Sequence, residues 1–192
     1  MRNRTEDRRV RRTEDGIENA FIKLLKEKPI QKITVKELTD MADVNRATFY
    51  THYTDVYDLL RKMEADYMKE FKEVNSRHDV EELTMDPTVR AIDLFEYVGQ
   101  DPEFALALLG PNGDISFIDA IRNELRARMM DICIAAFGAG GEEIYKKFFD
   151  YHMFGCIGLV RSWMEDGMKE SPEHMGKLVK SIIWDGIDVV RR

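Results

Sequence analysis

The chain of 192 residues has two cysteines, five prolines and no convincing run of alternating polar and apolar residues. Its thiols, Cys133 and Cys156, both lie in apolar surroundings. They read as buried thiols of a reducing compartment, not as a disulfide framework. Without alternation there is no signal for a half-buried strand. The most apolar stretch, residues 129–141, is interrupted by Asp131 and falls short of the roughly 20 residues that cross a bilayer. The N-terminal charge is followed by no apolar segment of the kind a secretory signal needs, so a cytoplasmic location and no membrane partner are expected. Catalytic signatures are missing too. The glycine clusters at 110–113 and 138–141 lack the Lys-Ser/Thr of a phosphate loop, and no strand precedes them. No nucleophile elbow, paired carboxylates or metal-ligand spacing stands out. His152 and Cys156 are i,i+4 neighbours without a third or fourth ligand. No enzymatic activity, cofactor or metal is expected.

What the sequence does contain is charge and helical periodicity. Hydrophobic residues make up 44% and charged residues 34%, the balance of a folded, helix-rich protein. The net charge of −7 is unevenly spread. Residues 1–60 carry 12 Lys/Arg against 11 Asp/Glu, whereas residues 61–192 carry 17 against 25. Six arginines (Arg2, Arg4, Arg8, Arg9, Arg11, Arg12) fall in the first twelve positions. A basic tip on an acidic body suggests a local contact with a polyanion.

Ile17, Phe21, Leu24 and Leu25 form one helical face that ends near Pro29. Thr34 and Glu37 have the spacing of a capping box, and Ile33 with Leu38 that of a hydrophobic staple, so a short helix is predicted to about Ala42. Asn45 can cap a second short helix with Val44 and Phe49 as its staple. Thr54 can cap a third, whose apolar positions from Val56 to Val74 run for about five turns. Residues 75–86 turn polar. Asp-Pro at 86–87 and 101–102, and Ser-Pro at 171–172, predict helix starts at 87, 102 and 172. The glycine clusters delimit two long helices near 114–137 and 142–166. The expected fold is all-α, a three-to-four-helix head followed by a five-helix body.

Two short helices joined tightly and flanked by longer ones have the layout of a helix-turn-helix, whose second helix enters the DNA major groove. Projected on a helix, Val44, Ala47, Phe49 and Tyr53 are expected to face the core. Arg46, Thr48, Tyr50, Thr51 and His52 are expected outside. Arg46 near the helix start can donate a fork to guanine, and Thr48 can meet a base edge or a thymine methyl. Tyr50, Thr51 and His52 suit phosphate oxygens, as does Thr34 at its helix N-terminus. Asn45 completes the candidate DNA-binding set. An amphipathic helix with a polar outer face and no DNA role is the alternative for the segment taken alone.

Residues 32–60, KITVKELTDMADVNRATFYTHYTDVYDLL, resemble the N-terminal domain of TetR/AcrR-type transcriptional regulators. The matching elements are Ile33-Thr34-Val35, Ala42 and Val44 around the turn, Thr48-Phe49-Tyr50, and Tyr53 before Leu59-Leu60. The resemblance implies an all-helical homodimer that binds double-stranded DNA at a palindromic operator, usually as a repressor released by a small-molecule effector. It implies a helix-turn-helix bundle at 13–60, preceded by the basic arm 1–12. A connecting helix at 61–78 and a ligand-binding and dimerisation domain at 79–192 would follow. The chain departs from the family pattern twice. Asp43 stands where the turn usually has glycine, and Val56 stands in the region where a phosphate-contacting lysine is common. The arginine-rich arm is expected to compensate.

Residues 101–121 and 155–175 more loosely resemble one branch of the same family, in which the last two long helices form the dimer interface. By that likeness Gly155, Gly158, Leu159, Ser162, Ile182, Ile183, Gly186, Val189 and Val190 are interface candidates. Phe104, Leu108, Phe117, Met129, Phe148, His152, Met153 and Trp163 provide aromatic and methionine bulk for an effector pocket. Ordinary core is the alternative for both sets. Some relatives of this branch work instead as ligand-independent co-regulators controlled by a protein partner through the C-terminal domain.

Overall fold

The computed structural model describes residues 4–186, with side chains from 10 to 183, so Val189 and Val190 lie outside the described residues. Among the described residues the chain is all-α and contains no strand. The helices are α1 (Arg4–Glu27), α2 (Val35–Ala42), α3 (Arg46–His52), α4 (Val56–Asn75) and α5 (Val80–Met85). They continue with α6 (Thr88–Val98), α7 (Pro102–Leu109), α8 (Ile115–Phe137), α9 (Glu142–Glu165) and α10 (Pro172–Gly186). A 3-10 turn, Ile30–Lys32, separates α1 from α2. The arginine-rich stretch from Arg4 onward is helical and continuous with α1, and Arg11 and Arg12 are exposed there. Two compact units result. One comprises the chain up to Tyr67 together with Leu106–Asp114; the other comprises Met68–Ala105 and the chain from Ile115.

The first unit is built around α1. Ile17, Phe21, Leu24 and Leu25 are at most 1% exposed, and the core also holds Leu38, Phe49 and Leu59 at 0%. At α2 the Thr34 hydroxyl oxygen accepts from the Glu37 amide at 3.2 Å, while the Glu37 carboxylate pairs with Lys28 at 2.5 Å. Asn45 caps α3 by accepting from the Ala47 amide at 2.8 Å. The cap of α4 differs from expectation. Asp55, not Thr54, accepts from the Asp58 amide at 2.7 Å, and Asp58 accepts in return from the Thr54 amide at 3.0 Å. A carboxylate close to the helix N-terminus satisfies two of its unpaired donors at once and complements its dipole. Asn112 reaches back to the end of α1, donating to the Leu25 carbonyl at 3.0 Å.

Asp43 adopts the left-handed conformation, φ 53° and ψ 45°, at the end of α2. This is the turn position where the related sequences carry glycine. Aspartate tolerates this region better than most residues, whereas a β-branched side chain does not. Asp43→Val is expected to cost about 1–2 kcal/mol and Asp43→Gly no more than about 0.5 kcal/mol, measured by urea unfolding.

Glu64 on α4 is half-buried, and its Oε1 is buried with no hydrogen-bond partner among the described residues. Burial, and secondarily the charge of Asp114, push its carboxyl up to about 7. The folded state therefore holds a proton there that the unfolded chain releases near pH 4.5. Stability from this group is present below the unfolded pKa and is lost as pH rises through about 7. Comparing thermal melts at pH 5.5 and 8, Glu64→Gln should gain on the wild type at the higher pH.

The second unit pairs α6 with α10, α5 with α8, and α8 with α9. A Cβ on Gly176 would lie 2.6 Å from Ile92 Cγ1, so glycine lets α10 approach α6 closely. Phe95 and Trp163 meet edge to face at 5.3 Å. Helix starts at 102 and 172 and the spans of α8 and α9 agree with the sequence pattern. At the remaining start Pro87 is itself the N-cap of α6, and Asp86 accepts from the Thr88 amide at 3.0 Å. Residues 75–86 do not stay irregular. Asp79 accepts from the Glu82 amide at 2.8 Å and starts α5, whose Leu83 is 0% exposed. The body therefore has six helices among the described residues, not five.

Candidate nucleic-acid interface

The chemistry of α3 follows from which residues it buries. Phe49 is 0% exposed and Tyr53 6%, with ring centroids 5.5 Å apart, while Thr48 and His52 are half-buried beside them. The opposite face carries Arg46, Ala47, Tyr50 and Thr51, all exposed, with Tyr50 at 52%. This differs from the sequence projection at two positions. Ala47 is outside, because two residues from Phe49 is about 200° around a 3.6-residue helix; Thr48, about 100° away, tucks in at the edge.

Two carboxylates of α1 hold the end of α3 from behind. Glu14 Oε1 lies 3.0 Å from His52 Nδ1, and the Tyr53 hydroxyl donates to Glu18 Oε1 at 3.2 Å. Burial, and then the neighbouring Glu18, push the Tyr53 phenol upward, so it stays a protonated donor. Burial raises Glu18 as well, although the Tyr53 hydrogen bond opposes the shift. His52 is thus engaged with α1 instead of standing free on the outer side. From α4, Lys62 donates to the His52 carbonyl at 2.8 Å and sits 5.1 Å from the Tyr53 ring centre. A cation at a helix C-terminus satisfies a carbonyl that has no partner within the helix.

The outward face is left with a guanidinium at the first turn, a methyl, a phenol and a hydroxyl. Thr51 Oγ1 donates to the Thr48 carbonyl at 2.6 Å, which leaves its oxygen free to accept. Exposed Thr34 uses its oxygen as a cap and retains its O–H for donation. Tyr57 on α4 and Met41 on α2 are further exposed residues, at 41% and 46%. Sequence reasoning missed Glu14, Glu18, Ala47 and Lys62. The i,i+4 spacing of the two glutamates was the available signal.

Residues 87–185, just over half of the chain, match a TetR family model described as "Transcriptional regulator C-terminal region". The chain belongs to the TetR family of transcriptional regulators. The head is 41% identical over 58 residues, 30% of this chain, to an uncharacterised HTH-type transcriptional regulator, YxbF, of Bacillus subtilis (strain 168); the match spans 15% of that relative's length. A TetR transcriptional regulator from Streptococcus agalactiae 2603V has the same fold, at a TM-score of 0.61 and 22% identity over 93% of this chain and 97% of that one. So does the fatty acid degradation regulator FadR of Bacillus halodurans, at 0.57 and 16% identity over 89% and 94%. The model matches the half of this TetR-family chain in which the sequence likeness is looser.

The pocket candidates do not converge on one described cavity. Leu108 belongs to the first unit, at 1% exposure. In the second unit Phe104, Phe117, Met153 and Trp163 are buried, and Met129, Phe148 and His152 are half-buried. His152 Nδ1 lies 2.8 Å from the Phe148 carbonyl. Trp163 alone of the eight borders a shallow, open groove of about 410 Å³ lined also by Glu96, Gln100, Met168 and Lys169. Its indole donates to the Glu170 carbonyl at 2.9 Å. No group of three or more potential metal ligands occurs among the described residues, and no described helix is long and apolar enough to cross a membrane. Both thiols are free; Cys133 is buried and Cys156 half-buried.

Proposed function

We propose that this TetR-family protein binds a palindromic operator as a homodimer and represses transcription until a small-molecule effector releases it. The observation that carries this reading is the division of α3 into an anchored face, Phe49 and Tyr53, and an exposed face, Arg46, Ala47, Tyr50 and Thr51. Arg46 reads a base edge, Ala47 and Thr48 meet a thymine methyl, and Tyr50, Thr51 and Thr34 take phosphate oxygens. Asn45 fixes the start of the reading helix. His52 contributes through Glu14 by orienting the helix end.

A seven-residue helix covers only one half-site, so two copies about 34–36 Å apart are needed. The surface suited to pairing is a stripe on α9 with Ile144, Tyr151, Phe154, Gly155, Gly158 and Ser162 exposed at helical spacing. Tyr151 is 79% and Phe154 63% exposed, and a Cβ on either glycine would meet nothing within 4 Å. Ile182 on α10 is 52% exposed, while Leu159 and Ile183 are partly covered. Gly186 closes α10. Exposed apolar area of this kind is usually covered in the working assembly.

Two measurements test the proposal. The wild type should be a dimer in sedimentation equilibrium and shift DNA from its own upstream region specifically at moderate salt. Phe154→Asp should be monomeric, with operator affinity down about 100-fold or more because a single half-site remains. A folded dimer without a specific shift would sink the operator reading. A dimer that survives Phe154→Asp would assign the stripe to another partner.

A further inference from the structure

The second unit contains a buried charge imbalance. Arg90 on α6 is 8% exposed, and its Nε donates to Asn75 Oδ1 at 2.9 Å. Asn75, 3% exposed, in turn donates to Glu124 Oε1 on α8 at 3.2 Å. Arg128, one turn further along α8, donates to the His78 carbonyl, while its Nε is buried with no partner among the described residues. Burial, and then repulsion from Arg128, lower Arg90 to about 10, with Glu124 and Cys156 opposing, so Arg90 stays a cation at neutral pH.

Other carboxylates nearby are committed elsewhere. Glu82 and Asp93 flank the His78 ring at 3.0 and 3.3 Å, and Asp93 also pairs with Arg77 at 3.4 Å. Arg122 and Arg126 on α8 bury their Nε atoms too, but each has its own carboxylate, Asp119 at 3.0 Å and Asp150. Arg90 and Arg128 have one between them, Glu124. A buried cation without a counter-charge costs several kcal/mol, so the arrangement is suited to receiving one more negative charge. A guanidinium fork matches the two oxygens of a carboxylate. Burial pushes the Cys156 thiol up, with Arg90 opposing, so it remains a neutral S–H beside the cations.

We propose that Arg90 and Arg128 form a binding site for the carboxylate of a small organic acid in the second unit. The site defines the chemical class of effector, and in that respect rests on the effector-released reading above.

The test is an NMR titration of the full-length protein with acetate at constant ionic strength, with acetamide as the uncharged control. Acetate should shift the Asn75 side-chain amide and the Arg90 Nε–H saturably, and acetamide should not. Arg128→Met should weaken acetate at least 10-fold. Glu124→Gln, which removes the competing carboxylate, should tighten it and gives a readout of opposite sign if Arg128→Met fails to fold. Equal responses to acetate and acetamide, or unchanged acetate affinity in both variants, would overturn the site. The operator reading fails separately, by absence of a specific gel shift in ligand-free protein.

Discussion

Arg46→Ala combined with Tyr50→Ala is expected to abolish specific operator binding while leaving fold and dimerisation intact. Both side chains are exposed, and Arg46 occupies the first position of α3 just after the Asn45 cap. Alanine keeps the helix, since it has the best helical propensity and removes no buried contact. A good bidentate arginine–guanine pair is worth about 1–3 kcal/mol of base discrimination. A dimer makes that contact twice, so Arg46 alone would account for about 2–6 kcal/mol, or roughly 30-fold to 10⁴-fold in preference. Tyr50 adds phosphate anchoring that lowers affinity without regard to sequence. Gel shift with specific and scrambled duplexes measures both effects, and circular dichroism with sedimentation controls for fold. A double variant that still prefers its operator would show that another surface reads the bases.

The second large effect is Phe49→Ala, expected to cost about 3–5 kcal/mol. Phe49 is fully buried, stands edge to face with Tyr50 at 5.5 Å and tilts against Tyr53 at the same distance. It is the largest apolar group α3 contributes, and a seven-residue helix has little stability of its own. Truncation leaves a cavity where α3 meets its support, and the helix loses its fixed orientation. Hydrogen exchange across residues 35–53 should speed up by at least about 100-fold, following the free-energy loss. Unchanged protection there would mean that α3 is held by the carboxylates of α1 and by Lys62, not by this ring.

Element starts were readable because their signals are local. A Thr or Asn oxygen three or two residues before an amide, or a proline at a first helical turn, acts within a few ångströms whatever the distant chain does. The same locality explains the errors. Polar composition hid α5, although Asp79 and Glu82 repeat the capping spacing seen at Thr34 and Glu37. At α4 two carboxylates near the threonine compete better for the free amides, so Asp55 displaced it. Ala47 was placed inside because alanine is apolar, yet a single methyl has too little area to direct a helix that also carries Phe49 and Tyr53.

By itself the sequence determined the all-α class, the helix-turn-helix and most helix limits, since these follow from periodicity and capping within one or two turns of chain. Only tertiary structure decided which polar residues of α3 are free. His52 and Thr51 look alike as donors in the sequence, but Glu14, 38 residues away, engages the first and leaves the second exposed. The pairing of Arg90 with Arg128 has the same origin. No sequence spacing announces it, because like charges come together only when packing of the elements around them outweighs their repulsion.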